Sequence, residues 1–186
     1  MQRRHFIAAN AAALMVGATP FSNRFATTLA QDATPSAISV IELAPGVTAE
    51  IFTAAPSAVA PGQTIYVARF VFDPGAEIFP HGHPGTTSLG VVEGSFGWTL
   101  VEGTAHVVRG AAGPEPGAPE DLTEPGVEVV LEPGDAIFYE SDVIHTARGA
   151  GDTPTLVFGA LVLETGAPLL MTAEEMMNMN KATPES

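Results

Sequence analysis

The chain has no cysteine, which excludes disulfides, thiolate metal ligands and lipoprotein attachment, so any metal site must be assembled from His, Asp or Glu. Positive charge is also scarce: Lys and Arg number 7 against 21 Asp and Glu, giving a formal net charge of −14 over 186 residues. Such a balance repels nucleic acid and anionic lipid, and DNA or RNA binding is excluded on that ground. There is a single tryptophan, and aromatic residues make up 7% of the chain. No apolar run reaches the roughly 20 uninterrupted residues that a membrane-spanning helix needs, because the longest is broken by Asn10.

What is present at the start is a signal. Arg3-Arg4 is followed by His5-Phe6-Ile7, an alanine-rich apolar stretch to about Ala18, and small residues ending at Ala30. This order reads as a twin-arginine export signal over residues 1–30, with a periplasmic or extracellular mature protein that has left the membrane after processing. Loss of that segment, which holds three arginines and no acid, would take the formal charge from −14 to −17. The residues that remain suffice for one domain and are too few for two sizeable cores.

Seven Pro-Gly pairs, starting at Pro45, Pro61, Pro74, Pro84, Pro116, Pro125 and Pro133, separate short stretches rich in Val, Ile, Phe and Thr. That punctuation predicts an all-β domain. The expected strands are Ile38 to Leu43, Val47 to Thr53, Gln63 to Asp73, Ala76 to Gly82, Ser88 to Val92, Ser95 to Val101, Thr104 to Arg109, Val127 to Leu131, Ala136 to Tyr139, Ile144 to Arg148 and Thr155 to Leu163. Residues 64–72 are largely apolar on both faces, which predicts a strand buried between layers. Gly110 to Pro125, rich in proline and acids, reads as an irregular surface loop, either a lid over a pocket or a neutral insertion. Thr172 to Glu175 has capping-box spacing before Met176, Met177 and Met179, so a short helix should follow the last strand, its methionines packing on the barrel or on a second subunit of a homodimer.

The residues that carry chemistry are histidines. His81 and His83 lie one residue apart on an expected strand, so both point to one face and can share a metal ion, and His145 ends another apolar run. Gly75, His81, His83 and Gly94 fall in register on the pattern G-x5-H-x-H-x3,4-E-x6-G, and Gly134 and His145 on G-x5-P-x-G-x2-H-x3-N. From about Gln63 to Glu164 the chain therefore resembles the cupin superfamily. The resemblance implies a jelly-roll barrel over about residues 46–170, with a linker and first strand over 31–45, a helix and tail over 171–186, and His81, His83 and His145 as metal ligands. The chain departs from the pattern in several places. Thr87, or Ser88 at the longer spacing, stands where the first motif has its glutamate, and Glu140, Asp142 and Gly149 replace the proline, second glycine and asparagine of the second.

Three neutral imidazoles leave up to three positions open on an octahedral divalent ion, be it Fe, Mn, Ni, Cu or Zn, and leave it its full 2+ charge. A small anionic chelating compound is the ligand such a site attracts, and a three-histidine oxygenase is the activity that the resemblance implies; a non-catalytic ligand- or metal-holding module and a purely structural jelly roll are the other classes. Glu77 precedes His81 by an even number of residues, so a regular strand would turn its carboxylate to the site as an extra ligand. Tyr139 brings a hydroxyl that could serve in acid chemistry, and Phe96, Trp98 and Phe138 are aromatic candidates for the pocket wall. His106 has no partner at ligand spacing and reads as a strand histidine. Replacing both Arg3 and Arg4 by Lys should leave unprocessed precursor in the cytoplasm, as fractionation and immunoblotting would reveal; normal processing would point to the general secretory route.

Overall fold

Type II turns built on Pro-Gly set the fold, because proline fixes the second turn position and glycine accepts the positive φ of the third. At Glu132-Pro133-Gly134-Asp135, for example, Gly134 has φ +97° and the Asp135 amide donates to the Glu132 carbonyl at 2.9 Å. The Asp135 carboxylate then accepts from the Glu132 amide (3.1 Å), the Gly110 amide (2.6 Å) and the Arg109 guanidinium (2.8 Å), fixing the start of the strand that ends at Tyr139.

The computed structural model describes residues 38–110 and 117–182, so the expected export signal over 1–30, residues 31–37 of the expected linker and residues 183–186 of the expected tail lie outside the described residues. Thirteen strands and one helix follow in chain order: β1 Ser39–Ala44, β2 Val47–Pro56, β3 Gln63–Phe72, β4 Glu77–Gly82, β5 Gly85–Glu93, β6 Phe96–Glu102, β7 Ala105–Val108, β8 Glu120–Leu122, β9 Glu128–Leu131, β10 Ala136–Tyr139, β11 Ile144–Gly149, β12 Thr155–Glu164, β13 Met171–Thr172 and α1 Ala173–Ala182. They form two antiparallel sheets, eight strands in the order β1-β2-β3-β12-β5-β10-β7-β8 and five in the order β13-β4-β11-β6-β9. Strands consecutive in sequence repeatedly cross from one sheet to the other. This is the jelly roll that the sequence predicts.

The inner faces meet in one apolar core. Strand β12 alternates strictly, with Val157, Leu161 and Leu163 buried, and these share one core with Phe96, Trp98 and Leu100 of β6 in the other sheet. Every strand expected from the sequence is present, with ends displaced by a few residues. Two were not expected. Strand β8 arises within the stretch read as irregular, where Leu122 and its neighbours pair with the otherwise open edge of β7. Strand β13 is two residues long and pairs with β4, Met171 opposite Gly82 and Thr172 opposite His81. The expectation for residues 64–72 also needs correction. Thr64, Ala68, Phe70 and Phe72 face the core, but Ile65 is exposed and no second layer covers β3's outer face among the described residues. That face is covered locally: Phe52 stacks on Phe158, and Arg69, paired with Glu50, lies 5.9 Å from the Phe52 ring centroid.

Thr172 and Glu175 cap the helix as expected: the Glu175 carboxylate accepts from the Thr172 amide at 2.8 Å, and the Thr172 hydroxyl accepts from the Glu175 amide at 3.3 Å. Of its methionines, Met176 is fully buried and packs on β4. No described helix is long and apolar enough to cross a membrane. At Gly82 a Cβ would lie 2.9 Å from both Met176 Cγ and the Val143 carbonyl oxygen, whereas at Gly90 it would meet nothing within 4 Å. Gly82→Ala should therefore cost about 1–3 kcal/mol of stability and loosen α1, while Gly90→Ala is neutral or slightly stabilising; urea denaturation of the two variants checks this.

Candidate metal centre

Cross-strand register assembles the site. His81 of β4 stands directly opposite His145 of β11, and the next recorded pairs are Ala147 with Ile78 and Arg148 with Glu77. Two residues of β4, Phe79 and Pro80, therefore oppose one residue of β11, which is a β-bulge. Proline is at home there, since a bulge leaves an amide position unpaired. The extra residue reverses the in-out alternation: Ile78 and His81 are both buried, and Phe79 and Pro80 between them are both exposed. This corrects the parity expected for Glu77, which is exposed, lies opposite Arg148 on the outer face and supplies no carboxylate to the site.

His83 follows the end of β4, and its ring meets that of His81 edge-on with centroids 5.3 Å apart. The His145 ring lies 4.2 Å from that of His81 and 5.6 Å from that of His83. One nitrogen from each of the three falls within 4.8 Å of the others, and no Asp or Glu joins the group among the described residues. Two nitrogens bound to a common zinc at 2.0 Å stand roughly 3.3 Å apart, so a small inward movement of the rings would suffice for ligation.

The protonation states favour a cation. His81 Nδ1 lies 2.9 Å from the Phe79 carbonyl and His83 Nδ1 lies 2.6 Å from the Leu169 carbonyl. A carbonyl can only accept, so both Nδ1 atoms carry the proton and both Nε2 atoms present lone pairs. Burial, reinforced by the nearby His83 and opposed by the Phe79 carbonyl, lowers the pKa of His81 to about 3. Burial likewise lowers His83 to about 4 against the pull of the Leu169 carbonyl. His145 falls well below its ordinary value, through burial and then its two histidine neighbours. Its Nδ1 is buried without a hydrogen-bond partner. Three neutral imidazoles with unshared lone pairs and an orphaned ring nitrogen fit a divalent transition metal.

The other sequence candidates separate by face. Thr87 is fully buried and Ser88 is exposed, so Thr87 is the one that turns inward at the motif's glutamate position. Tyr139, directly opposite Thr87, is buried, and its hydroxyl lies 3.2 Å from His145 Nε2. Burial pushes the phenol pKa up, so it is a neutral hydroxyl. Trp98 stacks on His145 with centroids 5.0 Å apart. Glu140 points away and accepts from the Thr86 hydroxyl at 2.6 Å. Phe138 lies on the outer face, stacked on His106, whose Nδ1 pairs with Asp121 at 2.8 Å.

Beside the imidazoles is a narrow cavity of about 20 Å³, lined by the three histidines and by apolar side chains. Phe96 is among these, as expected, but Trp98 and Tyr139 are not. Leu43, Phe70, Phe72, Ile78, Leu169 and Leu170 also line it. The alternation of β3 carried a signal for Phe70 and Phe72; nothing local in the sequence marks Leu169 and Leu170, which reach the cavity from the coil after β12.

No family model and no curated protein matches the chain. Among solved structures it is similar to KdgF from Halomonas sp., with 19% identity, a TM-score of 0.44, and 66% of this chain and 86% of that one covered. It is also similar to an RmlC-like cupin from Shewanella frigidimarina, with 16% identity, a TM-score of 0.38, and 70% and 87% covered. Oxalate decarboxylase from Lactobacillus farciminis shares 16% identity at a TM-score of 0.45, over 79% of this chain and 36% of that one. At these values the chemistry of the site rests on the chain's own residues.

The lowered histidine pKa values set a pH dependence. Above pH 6.5 the imidazoles are neutral in both folded and unfolded states; as pH falls below that, the unfolded chain takes up protons that the native site refuses until about pH 4 and 3. Stability of the metal-free protein should thus fall by about 1–2 kcal/mol per histidine between pH 6.5 and 5. Denaturant midpoints across that range should fall less steeply in His83→Gln, which removes one of the titrating groups.

Proposed function

We propose that this chain is an exported protein of the cupin type that binds one divalent transition metal through His81, His83 and His145 and uses it to act on a small anionic chelating compound. The observation that carries the reading is the convergence of three buried imidazole nitrogens within 4.8 Å, in surroundings that keep each ring neutral. When bound, the metal would supply a Lewis acid with open positions for a chelate and, in an oxygenase, for dioxygen.

The chain's own residues define what such a ligand must be. No charged side chain lines the cavity, so a 2+ ion held by three neutral ligands is left without a counter-charge in an apolar setting. An enolate, catecholate or thiolate carboxylate would provide it. Acid–base chemistry has little support from the protein, since the Tyr139 hydroxyl is directed at His145 and the Tyr139 side chain does not line the cavity. The reading therefore favours redox or Lewis-acid chemistry over proton shuttling by the protein.

A second reading, a module that holds a metal or small ligand without turnover, is favoured by the cavity's size. About 20 Å³ admits little more than a water molecule, so anything larger requires side chains that line the cavity to move aside. Oxygen consumption by the metal-loaded protein with a panel of enolates, catechols and thiol carboxylates separates the two.

Protein purified without chelator should carry about one transition-metal ion per chain by elemental analysis. Protein that is metal-free and also fails to take up Fe, Mn, Ni, Cu or Zn would sink the reading. His83→Ala should weaken metal binding by at least about 100-fold, more than loss of an outer hydrogen-bond partner typically costs. His106→Ala, whose ring pairs with Asp121 on the outer surface, should leave it unchanged. Competition titrations with a chromophoric chelator measure both.

A further inference from the structure

Tyr139 brings a buried phenol to a site whose cavity it does not line. Around it stand three of the four buried side-chain nitrogen and oxygen atoms that lack a hydrogen-bond partner among the described residues: Thr87 Oγ1, Trp98 Nε1 and His145 Nδ1. The phenol oxygen is 3.2 Å from His145 Nε2, and Thr87 faces Tyr139 in the β5–β10 register. The Trp98 ring lies 5.7 Å from that of Tyr139, centroid to centroid.

Counting protons separates the two tautomers of the neutral His145. With the proton on Nδ1, a buried N–H has no acceptor, which is rare in protein interiors. With the proton on Nε2, that N–H donates to the Tyr139 oxygen, and the atom left over is an Nδ1 lone pair, which a cation can satisfy. The phenol proton can then go to Thr87 Oγ1, and the indole N–H of Trp98, a donor only, can share the phenol oxygen. The geometry points to Tyr139 as a positioning residue whose oxygen holds His145 as the Nε2–H tautomer, so that His145 offers Nδ1 to the metal while His81 and His83 offer Nε2. The threonine at the motif's glutamate position, opposite Tyr139 in the strand register, is then the acceptor available to the phenol proton.

This assignment rests on the proposed metal site, but its first test does not need the metal. In metal-free protein with ¹⁵N-labelled histidine, multiple-bond ¹H–¹⁵N correlation spectra at pH 7 should show His145 protonated on Nε2, and His81 and His83 protonated on Nδ1. Tyr139→Phe removes only the oxygen and should move His145 toward the Nδ1–H form. The same variant should lower Zn(II) affinity about 10–100-fold, the usual cost of losing an outer hydrogen-bond partner of a metal-bound histidine. An Nδ1–H signal for His145 in the metal-free wild type, Zn(II) bound at Nε2 of all three histidines, or a variant with unchanged tautomer and affinity would each overturn the assignment. A wild type that binds no Zn(II) would instead count against the metal site itself, and the metal-free spectrum would still decide the role of Tyr139. Should Tyr139→Phe fail to fold, the wild-type spectra alone decide it.

Discussion

The pairing of His81 with His145 across β4 and β11 is the contact on which the rest of the site depends. It exists because the bulge at Phe79 and Pro80 shifts the register by one residue and turns His81, which would otherwise share an outward face with Glu77, into the barrel. Once His81 is inside, Gly82 has to pass under Met176 with no room for a side chain, and His83 emerges next to the Leu169 carbonyl. A local irregularity of one strand thus places two imidazoles, and the long-range pairing of β4 with β11 adds the third.

Burial does more than enclose the rings. By desolvation it removes the proton that would compete for each lone pair at neutral pH, so little ligation energy is lost to deprotonation. The same desolvation makes a bare 2+ charge unfavourable inside an apolar cavity. A carboxylate in the first motif would cancel part of that charge, and Thr87 does not. On the proposed reading, the remaining imbalance would be met from outside by an anion. The net charge of −14 on the whole chain opposes its approach at long range, but beyond about 8 Å that repulsion is screened in physiological salt, and at contact the cation would dominate.

The parts of this architecture legible in the sequence were those that follow from period and punctuation. Pro-Gly turns bounded the strands, the His-x-His spacing with His145 marked the site, and the Thr172–Glu175 capping box marked the helix. Parity failed at Glu77, because a single inserted residue inverts every face before it, although Pro80 inside an expected strand was a local hint of the bulge. The choice between Thr87 and Ser88 could not be made from spacing; it became a matter of which side of β5 faces the core. Strands β8 and β13 were missed for a different reason. Each is two or three residues long and owes its form to an available neighbouring edge, a tertiary property that no local pattern encodes.

The segment from β12 to α1 shows how a distant part of the chain becomes part of the site. Leu169 contributes its carbonyl to the orientation of His83, and both Leu169 and Leu170 close the cavity wall. Directly after them, β13 pairs with the strand that carries His81, and α1 then buries Met176 against Gly82. A ligand larger than the present cavity must displace lining side chains, and two of these, Leu169 and Leu170, belong to the short stretch whose backbone holds a metal-ligand candidate in its Nδ1–H form. Access and ligand geometry are therefore not independent: widening the cavity at Leu169 puts at stake the 2.6 Å hydrogen bond that presents His83 Nε2 to the centre. Where a ligand is admitted by moving Leu169, the cost includes whatever that hydrogen bond contributes to holding the His83 imidazole in place.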